Sequence, residues 1–285
     1  MKITPLTDHI GALIEDIQLN NITDHQFDCL YQAFLKHKVI FLRDQILTAQ
    51  QHLTLATRFG ALEPAHPFFT HVKEFDQVTI IESASGNPPG ESFWHTDMTW
   101  QETPPKCSIL HAQFVPKIGG DTIWCNMAQA WNTLPESEKQ YLRTLKVSHE
   151  LHAFKGSRYD KEELDDQNYA DKVAQKYPPV IRNMVQIHEE TQEEVLYINE
   201  QFTRGVVGLE KTQSDGLLTK LFARAREPQL QIRFSWQANS IAIWDNRATQ
   251  HFAVTDYGDS PRRLHRVTVK GESQQSTVKR HNKQG

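Results

Sequence analysis

The sequence is poor in cysteine and has no long apolar run, and each shortage excludes a class of protein. Its three cysteines, Cys29, Cys107 and Cys125, lie far apart among 285 residues and form no Cys-x-x-Cys pair. A disulfide framework and a structural zinc site are therefore not expected, and a reducing cytoplasm is the location that this cysteine usage favours. No stretch approaches the roughly 18 apolar residues that cross a membrane, and residues 1–5 contain no apolar signal segment.

An excess of charge of one sign is also lacking. The 31 lysines and arginines are nearly balanced by 35 aspartates and glutamates, which gives a net charge of −4 at pH 7. We therefore expect no nucleic acid and no membrane among the partners, and any anion must be bound by a local cluster of cations. Hydrophobic residues make up 38% of the chain, which excludes general disorder.

Apolar spacing predicts helices early in the chain. Apolar residues between Phe27 and Leu35 recur at intervals of three and four, which predicts a helix around residues 24–37. Thr48 and Gln51 form a capping-box pattern, so a second helix is expected to begin there and to end at Gly60. Further helices are predicted around 135–145 and 217–222.

Short strands dominate the rest of the chain. Apolar or alternating runs, separated by glycine and proline clusters, occur at 39–42, 78–81, 108–110, 122–124, 185–187, 195–198, 230–236 and 241–244. This order predicts a mainly β fold with helices, an α+β sandwich or barrel. The polar residues 160–177 are either a solvated surface segment or a lid, and the last residues, about 272–285, are expected to be a polar tail.

Spacing must select among the 14 histidines, which are too many for each to be functional. His95 and Asp97 follow a loop rich in glycine and proline, and in an extended segment residues two apart point to the same side. Their imidazole and carboxylate can therefore share one metal. A similar pattern, His188-Glu189-Glu190, is interpreted as a surface hairpin turn.

A third ligand is expected from a distant strand. An apolar strand ends at Trp244-Asp245 and is followed by His251. Two histidines and one carboxylate on one face of a metal, with the other face open, are the ligands of non-haem Fe(II) oxygenases. His95, Asp97 and His251 are therefore the candidate catalytic and metal-binding residues. Zinc normally takes a fourth protein ligand or keeps a water for hydrolysis, so a zinc hydrolase remains an alternative at this point.

Two arginines near the C-terminus are candidate anion ligands. Arg262 and Arg266 share one strand face with Leu264, about 13 Å apart along the strand. If that face is buried, the two guanidiniums need two anions, because an unpaired buried charge costs several kcal/mol. Arginine suits bidentate binding of a carboxylate or sulfonate. An edge strand with solvated arginines is the alternative interpretation.

Several separated motifs resemble those of the taurine dioxygenase family, which comprises Fe(II)- and 2-oxoglutarate-dependent oxygenases. In chain order they are Phe41-Leu42-Arg43-Asp44-Gln45, His95-Thr96-Asp97, Gly119-Gly120-Asp121-Thr122-Ile123-Trp124, Asn199-Glu200-x-Phe202-Thr203, Trp244-Asp245-Asn246-Arg247, Thr249-Gln250-His251 and Arg262-x-x-x-Arg266. The resemblance covers almost the whole chain. It implies one domain over residues 1–285 and a double-stranded β-helix, a jelly roll with helices packed on the outside.

The resemblance also implies roles for individual residues. His95, Asp97 and His251 would hold iron, and Arg262 and Thr122 would bind the far carboxylate of 2-oxoglutarate. Four further positions match residues that bind substrate in sulfonate-binding members. Of these, His66 and Arg266 would bind the sulfonate, while Trp94 and Phe202 would line the pocket.

Three nearby positions depart from the taurine-binding pattern. Phe69 stands at a tyrosine position, Glu91 replaces an asparagine, and Phe154-Lys155 replaces a serine–phenylalanine pair. These positions are expected near the end of the substrate remote from sulfur. Anion binding is therefore better supported than taurine itself, although Glu91 could pair with a substrate ammonium group.

The activity implied is hydroxylation of taurine or a related alkylsulfonate at the carbon next to sulfur. The products would be sulfite and an aldehyde, with 2-oxoglutarate and O2 giving succinate and CO2. Alternatives within the class are an alkyl sulfate ester or a small carboxylic acid as substrate. A zinc hydrolase or a non-catalytic binding protein would explain neither Arg262 nor Thr122. The resemblance further implies a homo-oligomer, a dimer or a tetramer.

Overall fold

The structure is a computed structural model that describes residues 1–85, 87, 89–90, 92–152, 154–157, 160 and 169–272. Within these ranges the α-helices are α1 (Asp24–His37), α2 (Ala49–Thr57), α3 (Met127–Asn132), α4 (Glu136–Leu142), α5 (Tyr169–Lys176) and α6 (Lys211–Phe222). The first eight strands are β1 (Lys2–Pro5), β2 (Ala12–Glu15), β3 (Val39–Leu42), β4 (His71–Val72), β5 (Phe75–Ser83), β6 (Cys107–Phe114), β7 (Thr122–Asn126) and β8 (Lys146–His149). The remaining strands are β9 (Val180–Asn183), β10 (Val185–Ile187), β11 (Glu194–Leu196), β12 (Thr203–Val206), β13 (Gln231–Phe234), β14 (Ile241–Asp245), β15 (Thr249–Ala253) and β16 (Arg262–Val269).

Two sheets position the site. An eight-stranded sheet has the order β1-β2-β3-β14-β6-β16-β5-β4, and a three-stranded sheet has the order β13-β7-β15. The central pairings of the large sheet are antiparallel, with Trp244 opposite Ser108 and Arg266 opposite Leu110. Two smaller units, β12-β8-β9 and the hairpin β10-β11, complete the strand pairing. The chain therefore has a mixed, sheet-rich α+β fold, as the sequence predicts.

Alternation along the central strands separates two hydrophobic cores. On β14, Ile241 and Ile243 join the core that α1 and α2 cover, whereas Ala242 and Trp244 join the core shared with Trp124 of the second sheet. Because both faces are buried, these strands have continuous apolar sequences. The same alternation turns Arg262, Leu264 and Arg266 of β16 toward the second sheet.

The early elements match the sequence prediction closely. α1 has the predicted bounds, and Thr23 caps it with a complete capping box. α2 also begins at the predicted capping box, but it ends at Thr57, before Gly60. α4, predicted around residues 135–145, spans Glu136–Leu142, and Pro135 is its N-cap. None of the described helices is both long and apolar enough to cross a membrane.

Two predictions concern polar segments of the chain, around His188 and at residues 160–177. His188 lies at the start of the turn between β10 and β11, so the predicted hairpin turn is confirmed. Its predicted surface position is wrong: this residue is 2% exposed and its Nε2 lies 2.9 Å from Asp245 Oδ2. The buried carboxylate at the end of β14 needs this partner, which the local sequence does not reveal. Residues 161–168 and the tail beyond residue 272 lie outside the described residues. α5 is described, and it buries Ala170 and Val173.

Candidate active site

A backbone bridge brings the two candidate histidines together. The His95 N–H donates to the His251 carbonyl at 3.1 Å, and the His251 N–H donates to the His95 carbonyl at 2.8 Å. The two ring centroids are consequently 4.0 Å apart. The bridge extends β15 to the segment that follows the Gly/Pro-rich loop, so residues far apart in sequence meet at one point.

Asp97 lies between these histidines. Its Oδ1 is 3.7 Å from His95 Nε2 and 4.0 Å from His251 Nε2. The ligand atoms of the three residues all lie within 4.8 Å of one another. The structure therefore brings together the three metal ligands that the sequence predicts, in a cluster small enough for one ion to contact all three.

The protonation states in this cluster suit a divalent metal. Burial alone would raise the pKa of the Asp97 carboxyl, but the Arg266 guanidinium, 3.1 Å from Oδ1, and the hydrogen bond from the Ser108 hydroxyl hold it well below its usual value. Burial lowers the pKa of His95 and of His251, so both imidazoles are neutral. His95 Nδ1 lies 2.8 Å from the Phe93 carbonyl and donates to it, which leaves the Nε2 lone pair for a metal.

Two residues that the sequence analysis did not select hold Asp97 in place. Asn246 accepts from the Asp97 N–H at 2.8 Å and donates to the Asp97 carbonyl at 3.0 Å. The Ser108 hydroxyl donates to Oδ2 at 3.0 Å. Oδ1 is thereby the carboxylate oxygen turned toward the histidines. Asn246 belongs to the Trp244–Arg247 motif, so a signal existed for it, whereas Ser108 depends on the pairing of β6 with β14.

Arg262 is a buried cation with space in front of it. It is 6% exposed, and its Nε has no hydrogen-bond partner among the described residues. Its guanidinium lies 5.8 Å from the centre of the Tyr257 ring, and burial lowers its pKa. Gly120, at a φ of +72°, has no side chain, and a Cβ there would lie 3.2 Å from Arg262 Nε. Glycine at position 120 therefore leaves room for the Arg262 side chain.

Thr122 lines the same cavity as Arg262. Its hydroxyl oxygen accepts a hydrogen bond from Trp236 Nε1 at 3.0 Å. Since the oxygen is already an acceptor, the hydroxyl hydrogen remains to be donated to a ligand. Trp236 is a third functional residue that the sequence analysis did not select, because it lies beyond the predicted motifs.

Arg266 and His66 form a second polar pair, nearer to Asp97. The Nε of Arg266 is buried without a hydrogen-bond partner among the described residues. His66 Nδ1 accepts from the Phe68 N–H at 3.2 Å, and burial keeps its pKa well below the ordinary value. A neutral imidazole that accepts at Nδ1 carries its proton at Nε2. Both side chains line the cavity as hydrogen-bond donors.

One cavity of about 220 Å³ connects these groups. Besides the residues above, aromatic side chains line it, including Phe69, Phe154 and Phe202. Trp94 is not among its lining residues, and its ring packs 5.7 Å from that of Phe252 instead. Glu91 lies outside the described residues.

Comparisons with known proteins agree with this geometry. Residues 2–268 match the model of the family described as "Taurine catabolism dioxygenase TauD, TfdA family". An alkylsulfatase of Acinetobacter baylyi is 34% identical, over 95% of this chain and 86% of that protein. An alpha-ketoglutarate-dependent sulfate ester dioxygenase of Pseudomonas putida is 32% identical, over 95% of this chain and 90% of that protein. The crystal structure of a taurine dioxygenase from Burkholderia xenovorans superposes with a TM-score of 0.81 at 32% identity, over 95% and 89% of the two chains.

Proposed function

Because the chain belongs to the TauD, TfdA family and is a 2-oxoglutarate-dependent dioxygenase, we propose that it oxidises a small sulfur-oxyanion substrate at the carbon next to the anionic group. The lead substrates are alkylsulfonates, the class to which taurine belongs. The observation that carries the proposal is one cavity that is lined by three candidate metal ligands and two buried arginines.

His95, Asp97 and His251 are the proposed Fe(II) ligands. Their fit rests on the donor set, two neutral imidazoles and an ionised carboxylate on one side of the cavity. When bound, Fe(II) activates O2 and couples oxidative decarboxylation of 2-oxoglutarate to oxidation of the substrate. Ser108 and Asn246 orient Asp97, and the buried surroundings of the cluster keep bulk water away from it.

Arg262 and Thr122 are the proposed partners of the far carboxylate of 2-oxoglutarate. A dicarboxylate would satisfy the buried guanidinium, whose Nε lacks a hydrogen-bond partner among the described residues. The Thr122 hydroxyl, with its oxygen occupied by Trp236, would add a hydrogen bond. These contacts would orient the keto-acid end of 2-oxoglutarate toward the three proposed metal ligands.

Arg266 and His66 are the proposed partners of the substrate anion. Arg266 offers a fixed set of parallel donors and His66 one further N–H, which suits the oxygens of a sulfonate or sulfate. Because Arg266 also contacts Asp97, an anion bound to Arg266 would lie beside the proposed metal ligands. The neighbouring carbon of the substrate would then be the one placed for oxidation.

A sulfate ester is the second candidate substrate. The curated relatives named above are an alkylsulfatase and a sulfate ester dioxygenase, which favours this alternative. Hydroxylation next to sulfur would release an aldehyde and sulfite from a sulfonate. Hydroxylation next to the ester oxygen would release an aldehyde and sulfate from a sulfate ester.

The finer architecture is also part of the proposal. We infer that the two facing sheets form a double-stranded β-helix and that residues 1–285 make one dioxygenase domain. The inference is supported by the core that the two sheets share. A homo-oligomer and a cytoplasmic location remain predictions.

The test is product analysis with purified enzyme, Fe(II), 2-oxoglutarate and O2. We expect sulfite from alkylsulfonates, or sulfate from alkyl sulfates, with one succinate formed per anion released. Asp97→Ala is the control and should give neither product. Succinate that forms without any sulfur anion, across both substrate series, would contradict the proposal.

A further inference from the structure

We propose that the cavity selects a sulfonate or sulfate with an uncharged tail and discriminates against an ammonium tail such as that of taurine. This inference rests on the proposed function, since it concerns the same substrate. It is carried by the chemistry of the cavity wall beyond Arg266 and His66.

The wall next to the anion-binding pair is aromatic. The Arg266 guanidinium lies 5.4 Å from the centre of the Phe69 ring, and that ring lies 4.5 Å from the His66 ring. Phe154 follows, 5.8 Å from His66, and stacks on Phe68 at 4.1 Å. An anion held by Arg266 and His66 therefore places its tail against hydrocarbon.

This aromatic wall packs against a buried hydrophobic cluster. Phe68, Phe154, Phe202, Met98 and residues of α5 form one buried cluster. The Tyr169 hydroxyl of α5 donates to the Pro67 carbonyl at 2.8 Å, which fastens the helix to the loop that carries His66 and Phe69. The wall is thus part of a packed core, and it does not consist of exposed side chains that could turn aside for a charged group.

The carboxylates that line the described part of the cavity are already engaged. Asp97 faces the two histidines, Arg266 and Ser108. Glu82 accepts a hydrogen bond from Arg263 Nε at 2.8 Å. A substrate ammonium group would therefore lose its water without gaining an opposite charge, which is strongly unfavourable.

A neutral polar group is a different case. Gln201 lines the cavity beside Phe202, and its buried Oε1 has no hydrogen-bond partner among the described residues. An amide oxygen can accept from a hydroxyl group but brings no negative charge. The wall should therefore tolerate a hydroxyl on the tail better than an ammonium.

Three sulfonates of nearly equal size test this inference. Propane-1-sulfonate, 2-hydroxyethanesulfonate and taurine end in a methyl, a hydroxyl and an ammonium group respectively. Their affinities are measured by calorimetry under anaerobic conditions, with the full chain loaded with Mn(II) and 2-oxoglutarate. We expect taurine to bind at least about 100-fold more weakly than propane-1-sulfonate, and 2-hydroxyethanesulfonate to bind between them.

The outcomes separate the two proposals. Taurine binding as tightly as propane-1-sulfonate, or more tightly, would overturn the uncharged-tail inference and leave the proposed function standing. If taurine binding is tight and Glu91→Gln weakens it, then Glu91 supplies the counter-charge. If no sulfonate and no alkyl sulfate of similar length binds, the proposed function itself fails.

A variant of the wall provides the second arm. Phe69→Ala should weaken the binding of propane-1-sulfonate about tenfold or more, because the substitution removes an apolar surface that the tail of this ligand covers. Methanesulfonate carries only a methyl group beyond the anion, so its affinity should change by less than about threefold. A misfolded variant would lose both ligands, and equal weakening of both would contradict a role of Phe69 in tail binding. Phe114→Ala, on an exposed phenylalanine, is the matched control and should change neither affinity.

Discussion

Replacing Arg262 by methionine should stabilise the protein without its ligands and remove most of the stabilisation that 2-oxoglutarate provides. The side chain is 6% exposed, and its Nε has no hydrogen-bond partner among the described residues. The guanidinium lies 5.8 Å from the centre of the Tyr257 ring. Methionine fills a similar volume without a charge to desolvate.

The magnitude follows from the cost of a buried charge. Replacing a buried ion pair by apolar side chains of similar volume is often stabilising by about 1–4 kcal/mol, and we expect a gain of that order for the single buried guanidinium of Arg262. For a domain of this size, each kcal/mol raises the melting temperature by roughly 2–4 °C. In the wild type, 2-oxoglutarate at about 100 times its dissociation constant should add ~2.7 kcal/mol of stability. In Arg262→Met that increment should fall to about 0.9 kcal/mol or less, because a charge-assisted contact of about 2–5 kcal/mol is lost.

Thermal unfolding with Mn(II), with and without 2-oxoglutarate, measures both effects. The matched control is Arg263→Met, because Arg263 is the next residue on β16 but its side chain is 41% exposed and is paired with Glu82. This control should keep the full 2-oxoglutarate shift and a nearly unchanged melting temperature. A lower ligand-free melting temperature in Arg262→Met, together with an intact 2-oxoglutarate shift, would refute the assignment of this arginine.

Three further predictions concern residues around the site and in the core. Ser108→Ala should weaken Mn(II) binding by about 10–100-fold, measured by anaerobic titration, because the hydrogen bond to Asp97 Oδ2 is lost; unchanged affinity would argue against a positioning role. Trp236→Phe should weaken 2-oxoglutarate binding about 2–10-fold, and a calorimetric double-mutant cycle should show no further effect in a Thr122→Ala background. The wild-type unfolding free energy, from urea denaturation, should fall between pH 7 and pH 5, because burial lowers the pKa of His52 and of His149 to about 3. Below about pH 6.5 the unfolded chain therefore binds protons that the folded chain does not, a loss on the order of 2 kcal/mol per histidine by pH 5; a constant or rising value would contradict it.

The residues that the sequence could predict are those whose role follows from local periodicity. The spacing of His95 and Asp97 places both on one side of an extended segment, and alternation along β16 places Arg262 and Arg266 on one face. α1 was predictable for the same reason, because its apolar stripe and its Thr23 capping box are both contained in one short segment.

The residues that escaped prediction depend on which strands become neighbours. Ser108 reaches Asp97, and Trp236 reaches Thr122, only after distant segments have packed together. His188 is buried because Asp245 lies behind it. α3 had a local signal, since Asn126 caps it by accepting from two backbone N–H groups, but the apolar run of β7 continues into the helix and hides its start.

The most direct test of the account is a two-step anaerobic titration of the Fe(II)-loaded protein. 2-Oxoglutarate is added first and an alkylsulfonate second, while the visible absorption of the chelated Fe(II) is followed in the wild type, Arg262→Met and Arg266→Ala. We predict that 2-oxoglutarate gives the absorption band in the wild type and in Arg266→Ala but not in Arg262→Met. The sulfonate should then perturb the band in the wild type alone. A band that forms normally in Arg262→Met, or a sulfonate response in Arg266→Ala equal to that of the wild type, would contradict the division of roles between the two arginines.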